Sequence, residues 1–296
     1  MSFRKIFVLG AGAIGSFLAA FLSRKNDVTL IGNKAHVDAV NSNHLILEGD
    51  FAGRFSVKAE TTIKEIPPNS LILLTMKAYD LTRAVSGLNI LLKDDTAILV
   101  LQNGVQIKEL VQETVENEIQ VARGLIHMAA EFFEPGKIRL WNGEIVVERS
   151  EIGERIAELF HESGLKTRVS EDILFEEWNK LVVNCVINPL TAILRVRDNE
   201  IAADSLKVIR HKIVEECVQV GKAEGISFKP DLEREIDRKI SSYTNYSSMY
   251  QDIFKRKETE IDFLNGIVVK LGKKHGIPVC ANETMVGLIK FMEAQK

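Results

Sequence analysis

Lys180, Asn184 and Asn188 recur every four residues in a run that is otherwise mostly Leu, Val, Cys and Ile. At ~100° per residue, positions four apart share one helix face. The spacing predicts an apolar helix over 177–189 with one polar stripe, an ammonium followed by two carboxamides. An ammonium can stabilise a developing oxyanion and then protonate it, while carboxamides orient polar groups without adding charge. Each carboxamide buried without a partner costs roughly 1–3 kcal/mol, and the ammonium more. Something polar should therefore face the stripe: a ligand, solvent, or an amide network between helices.

A second constellation lies at the start of the chain. Gly10-Ala11-Gly12-Ala13-Ile14-Gly15 is a GxGxxG turn that follows a strand pattern, Ile6 to Leu9, and opens a helical one, Ile14 to Arg24. In that context Gly10 permits a tight turn, Gly12 lets the backbone approach a pyrophosphate, and Gly15 allows close packing of helix on strand. The helix N-terminus adds partial positive charge, so the turn is read as a dinucleotide cradle. The second strand ends Leu30-Ile31-Gly32-Asn33-Lys34, without the carboxylate that would hold the free ribose hydroxyls of NAD. Asn33 and Lys34 can instead donate to a 2′-phosphate, which favours NADP, although Lys34 also suits a solvated first turn. Lys77 and Asn103 each stand just after a buried strand pattern, where ligands bind in open α/β folds. Lys77 reads equally as exposed, and Asn103-Gly104 as turn chemistry.

These groups need a scaffold, and the hydrophobic pattern supplies one. Short β-rich runs alternate with helical stretches through the first half: strands at 28–31, 70–75, 97–101 and 119–125, helices at 35–43 and 81–92, and a hairpin around Gly49 and Gly53. That rhythm predicts a doubly wound parallel sheet. Beyond about residue 170 only helical periodicity remains, with helices expected near 206–224, 231–241, 256–274 and 282–295. The domains are placed at 1–168 and 169–296, and the fold class is α/β followed by an all-α domain.

The chain has 296 residues, 46% of them hydrophobic, enough for two cores. Thirty-eight basic against 41 acidic residues give a net charge of −3, with no basic excess to favour nucleic acid or an anionic membrane. No apolar run approaches the roughly 18 residues a membrane helix needs. Three cysteines without CxxC spacing fit reduced thiols, and a cytoplasmic location is expected. The six histidines show no metal-binding spacing.

With these residues in view, the chain resembles the ketopantoate reductase (2-dehydropantoate 2-reductase) family over nearly its whole length. GAGAIG at 10–15, TMK at 75–77, LQNG at 101–104, the Lys180, Asn184, Asn188-Pro189-Leu190-Thr191 run, NYSSMYQD at 245–252 and TEID at 259–262 with Asn265-Gly266 carry the likeness. The resemblance implies a Rossmann-type domain, NADPH as cofactor, a small 2-oxo acid as substrate and reduction of 2-dehydropantoate to (R)-pantoate. It makes Lys180 the general acid, and Asn103, Asn184, Asn188, Asn245 and Ser248 ligands of the substrate or of the nicotinamide side. Glu260 becomes an acidic residue that helps hold substrate and cofactor and orders the lysine. By its surroundings alone, Lys255-Arg256-Lys257-Glu258-Thr259-Glu260, it reads as a solvated charge; Ser248 reads as a helix cap and Asn245 as a turn residue. A homodimer is compatible with such a helical domain. A hydroxyacid or opine-type dehydrogenase and a non-catalytic nicotinamide sensor are the alternatives. Two positions depart from the family: Asn33-Lys34 replaces an Arg common after the second strand, and Asp198-Asn199-Glu200 stands where Asn-Gly-Glu is frequent.

Overall fold

Three strands of the first half, Val28–Ile31, Ser70–Leu74 and Ala97–Val100, are buried along their whole length, which is why they read as near-continuous apolar runs rather than alternating ones. The computed structural model describes residues 3–295. It separates into two compact units, one made of residues up to 102 together with 106–173, the other of 103–105 together with residues from 174 on.

The first unit runs β1 (Lys5–Leu9), α1 (Ala13–Leu22), β2 (Val28–Ile31), α2 (Lys34–Asn43), β3 (Leu45–Gly49), β4 (Gly53–Phe55), β5 (Lys58–Glu60) and β6 (Ser70–Leu74). It continues with α3 (Leu81–Ser86), β7 (Ala97–Val100), α4 (Ile107–Thr114), β8 (Gln120–His127), β9 (Ala130–Glu134), β10 (Lys137–Leu140), β11 (Glu144–Glu148), α5 (Glu151–Glu162) and β12 (Thr167–Ser170). Eight strands form one sheet in the order β12-β11-β8-β7-β6-β1-β2-β5, parallel except where β11 meets β8. Because β1 sits centrally with β2 on one side and β6 on the other, the strand order reverses there and opens a crevice at the strands' carboxyl ends. β12 extends this sheet, so a division at 168/169 would cut a strand.

The expected hairpin is β3–β4, part of a second sheet ordered β4-β3-β10-β9. Its other half was not anticipated, and the reason is visible in His36. The Gly136 N–H at the β9–β10 turn donates to His36 Nδ1 at 3.1 Å, so Nε2 carries the ring proton toward Ser16 Oγ, 3.0 Å away. One buried imidazole thus ties α1, α2 and the turn together. Burial pulls its pKa down from 6.5 to about 4. The folded state therefore takes up the proton later than the unfolded chain. This contribution to stability is complete above pH 6.5 and disappears as pH falls through about 4. Thermal melts of the wild type and His36→Gln should differ most near pH 7.5 and converge near pH 4.5; a gap that widens in acid would contradict this.

The second unit packs α6 (Ile173–Leu194), α7 (Lys207–Ala223), α8 (Leu232–Ser242), α9 (Ser248–Phe254), α10 (Asn265–His275) and α11 (Cys280–Ala294) around a core that also takes in Val105. Pro189 lies inside α6 and lacks the N–H that would pair with the Cys185 carbonyl four residues back. Asn265 Nδ2 takes that place, donating to Cys185 O at 3.0 Å and to Asn282 Oδ1 at 2.9 Å. Asn282 in turn donates to Glu216 Oε2 at 2.8 Å, so the buried amides form one linked network. The expected helix over 256–274 is in fact a 3-10 turn, Ile261–Phe263, followed by α10. The helix expected over 81–92 stops at Ser86, before Gly87.

Candidate active site

In the first unit the glycine turn closes by packing against the loop after β6. Gly10 sits at φ +117°, and a Cβ there would meet Met76 N at 2.2 Å. Thr75 Oγ1 donates to Gly10 O at 2.7 Å, which laces the two loops at the point where strand order reverses. A Cβ on Gly15 would lie 2.0 Å from Gly10 O, so α1 can approach β1 only with glycine there. Gly12 is the opposite case: a Cβ there would meet nothing within 4 Å. It stands at the N-cap of α1, with no side-chain cap and no acidic residue in the first turn. The amides at Ala13, Ile14 and Gly15 thus begin a helix in a form suited to an anion, and Ala11 is buried beneath the turn. The three glycines divide into turn, approach and packing roles, which fits a dinucleotide pyrophosphate.

Asn33 is the N-cap of α2, its Oδ1 accepting from the His36 N–H at 3.0 Å. Lys34 is 81% exposed and pairs with Asp38 at 2.8 Å, a surface contact that exchanges readily. Lys77 caps a 3-10 turn, Ala78–Asp80, and is half-buried. Two supports were missed in the sequence. Gln102 Nε2 donates to Met76 O at 3.1 Å, tying the loop after β7 to the loop after β6. Arg123, fully buried in β8, donates to Val100 O, Gly124 O and Gln102 O at 2.7–2.9 Å, which braces the same loop from below. The signal was present: a single Arg within the apolar strand Val121 to Ile126 breaks its pattern.

In the second unit Lys180 is half-buried on α6, with Asn184 and Asn188 one and two turns further along. Asn188 is only 5% exposed. Neither carboxamide takes a hydrogen-bond partner among the described residues. Glu260 is 6% exposed despite its charged neighbours, and its Oε2 accepts from Asn103 Nδ2 at 3.3 Å. Asn103 and Glu260, far apart in sequence, are therefore neighbours. Asn245 Nδ2 donates to Asp198 Oδ2 at 2.8 Å. Ser248 opens α9, but the cap is Ser247, whose Oγ accepts from the Tyr250 N–H at 3.1 Å and meets Thr191 Oγ1 at 2.7 Å.

A doubly wound sheet with a glycine-rich turn at its reversal point defines a dinucleotide-binding α/β protein with a helical second unit. Comparison with known proteins narrows the class. The family descriptions "Ketopantoate reductase PanE/ApbA" and "Ketopantoate reductase PanE/ApbA C terminal" match residues 6–151 and 172–293. The chain belongs to the ketopantoate reductase family. A 2-dehydropantoate 2-reductase of Pyrococcus horikoshii is 35% identical over 98% of each chain, and one of Archaeoglobus fulgidus 28% identical over 99% of each. Among solved structures, a family member from Ralstonia eutropha JMP134 superposes with a TM-score of 0.92 at 30% identity, covering 98% of this chain and 99% of that one. A D-mandelate dehydrogenase with NADH and anilino(oxo)acetate gives 0.90 at 27% identity, covering 98% of each chain.

Proposed function

We propose that this protein is an NADPH-dependent 2-dehydropantoate 2-reductase, an oxidoreductase that converts the ketone of ketopantoate to the alcohol of (R)-pantoate for pantothenate and coenzyme A synthesis. The observation that carries the assignment of the site is the stripe on α6, where two carboxamides without hydrogen-bond partners among the described residues follow Lys180 along one face. The reduced nicotinamide, when bound, supplies the hydride. Lys180 steadies the oxygen as negative charge grows on it and gives up a proton to complete the alcohol. Asn184, Asn188, Asn245 and Ser248 hold the oxo acid. Asn103 and Glu260, joined at 3.3 Å, act as a pair at the substrate and nicotinamide end. The backbone from Gly10 to Gly15 receives the pyrophosphate, with Lys77 beside the loop that Thr75 anchors.

Lys34 is assigned to the 2′-phosphate, with Asn33 contributing beside it. Lys34→Ala should raise KM for NADPH by about fivefold, the scale of one exposed charge contact, and leave KM for NADH unchanged. An equal change for both cofactors would remove Lys34 from that role. The protein is placed in the cytoplasm, in keeping with three unbridged cysteines, and as a homodimer, for which exposed Phe254 and Phe291 offer apolar surface. Among the described residues no helix is long and apolar enough to cross a membrane.

The likeness to D-mandelate dehydrogenase makes an aromatic 2-hydroxyacid the competing product. Initial rates of NADPH consumption with ketopantoate, phenylglyoxylate and amino acid plus oxo acid pairs decide between them. Ketopantoate should lead in kcat/KM by about 10⁴-fold, the scale on which a site built to hydrogen-bond a substrate hydroxyl rejects an analogue that lacks it. A lead by phenylglyoxylate, or by an amino acid plus oxo acid pair, would replace the assignment.

A further inference from the structure

Asn245 has no helix or strand of its own to fix it, lying in the segment between α8 and α9. The turn at 197–198 grips that segment instead. Arg197 Nη1 donates to Thr244 O at 3.0 Å, and its guanidinium lies over the Tyr246 ring at 5.1 Å. The Asp198 N–H donates to Asn245 O at 3.1 Å, while Asn245 Nδ2 donates to Asp198 Oδ2 at 2.8 Å and to Tyr246 O at 3.3 Å. Asp198 is 3% exposed, and burial pushes its carboxyl up to about 7 against the opposing pull of the Asn245 amide and the Ser247 N–H.

These contacts decide which way the carboxamide faces. A backbone carbonyl only accepts, so the contact with Tyr246 O requires the Asn245 nitrogen on that side whatever the protonation of Asp198. Both amide hydrogens are then engaged. Oδ1 is left without a partner among the described residues, and it can only accept. An acceptor repels a carboxylate and welcomes a hydroxyl.

We propose that Asp198 is a positioning residue that fixes Asn245 with its oxygen outward, so that Asn245 recognises the hydroxyl of the oxo acid and not its carboxylate. This rests on the reading of Asn245 as a substrate ligand. The test compares ketopantoate with 3,3-dimethyl-2-oxobutanoate, the same skeleton without the hydroxyl, in the wild type, Asn245→Ala, Asp198→Ala, Asp198→Asn and the double Ala variant. Asn245→Ala should lower the kcat/KM ratio of the two acids at least tenfold, the loss on ketopantoate being the larger. Asp198→Ala should do nearly the same, with kcat for the deoxy acid within twofold of wild type. Asp198→Asn, which keeps an acceptor oxygen, should restore the ratio to within threefold, and the double variant should be no worse than Asn245→Ala.

Equal losses on both acids in Asn245→Ala would place that residue on the shared carboxylate and overturn the proposal. A ratio unchanged in Asp198→Ala, beside a lowered one in Asn245→Ala, would overturn the role of Asp198 alone. No turnover of either acid by the wild type would remove the reductase reading itself, and this proposal with it.

Discussion

Replacing Lys180 by Ala lowers kcat for ketopantoate reduction by about 10³-fold, within the range expected for loss of a positioned general acid, while the dissociation constant for NADPH stays within twofold. In activation free energy that is about 4 kcal/mol. Lys180 belongs to a 22-residue helix that Ala continues without strain, and Leu181, Val182 and Cys185 remain to bury the apolar face. The defect should therefore appear in turnover with little change in melting temperature. Lys180→Arg should be nearly as slow, because a guanidinium keeps its charge and does not yield its proton. Single-turnover NADPH oxidation, with cofactor fluorescence titrated in parallel, separates these effects. A fully active Ala variant would remove Lys180 from the chemistry.

The second large effect separates two glycines three residues apart. At Gly12 an added side chain meets nothing, so Gly12→Val should fold normally, yet its methyl groups would occupy the space through which the pyrophosphate reaches the α1 amides. Loss of two charge-assisted hydrogen bonds is roughly 3–6 kcal/mol, or about 10²–10⁴-fold in NADPH affinity. At Gly15 a Cβ would lie 2.0 Å from Gly10 O and 2.5 Å from Thr75 Oγ1, so Gly15→Val should damage the fold itself. Calorimetric titration with NADPH beside a thermal melt reads both outcomes. If Gly12→Val binds NADPH with wild-type affinity, the cradle has been placed wrongly.

Backbone-driven features were legible in the sequence because they follow from local rules. Gly10, Gly12 and Gly15 each meet a distinct requirement of a strand-to-helix turn, and β2, β6 and β7 are buried throughout, so their apolar runs announced them. The polar stripe on α6 followed from helical spacing alone. What could not be read depends on partners distant in the chain. Glu260 sits among exposed charges, and only the fold brings Asn103 against it. The pattern over 256–274 looks helical throughout, but Asn265 is drawn inward to supply the donor that Pro189 denies to Cys185 O, and α10 begins only there. Asp198 and Asn245 lie 47 residues apart, and no periodicity links them.

Isotopic labelling follows the hydride itself from NADPH to the ketone carbon of ketopantoate. With NADPH deuterated at the transferable nicotinamide position, pantoate of R configuration should carry deuterium at the new carbinol carbon and form one for one with oxidised cofactor. Cofactor oxidation without labelled pantoate, or no oxidation in the presence of ketopantoate, would contradict that transfer.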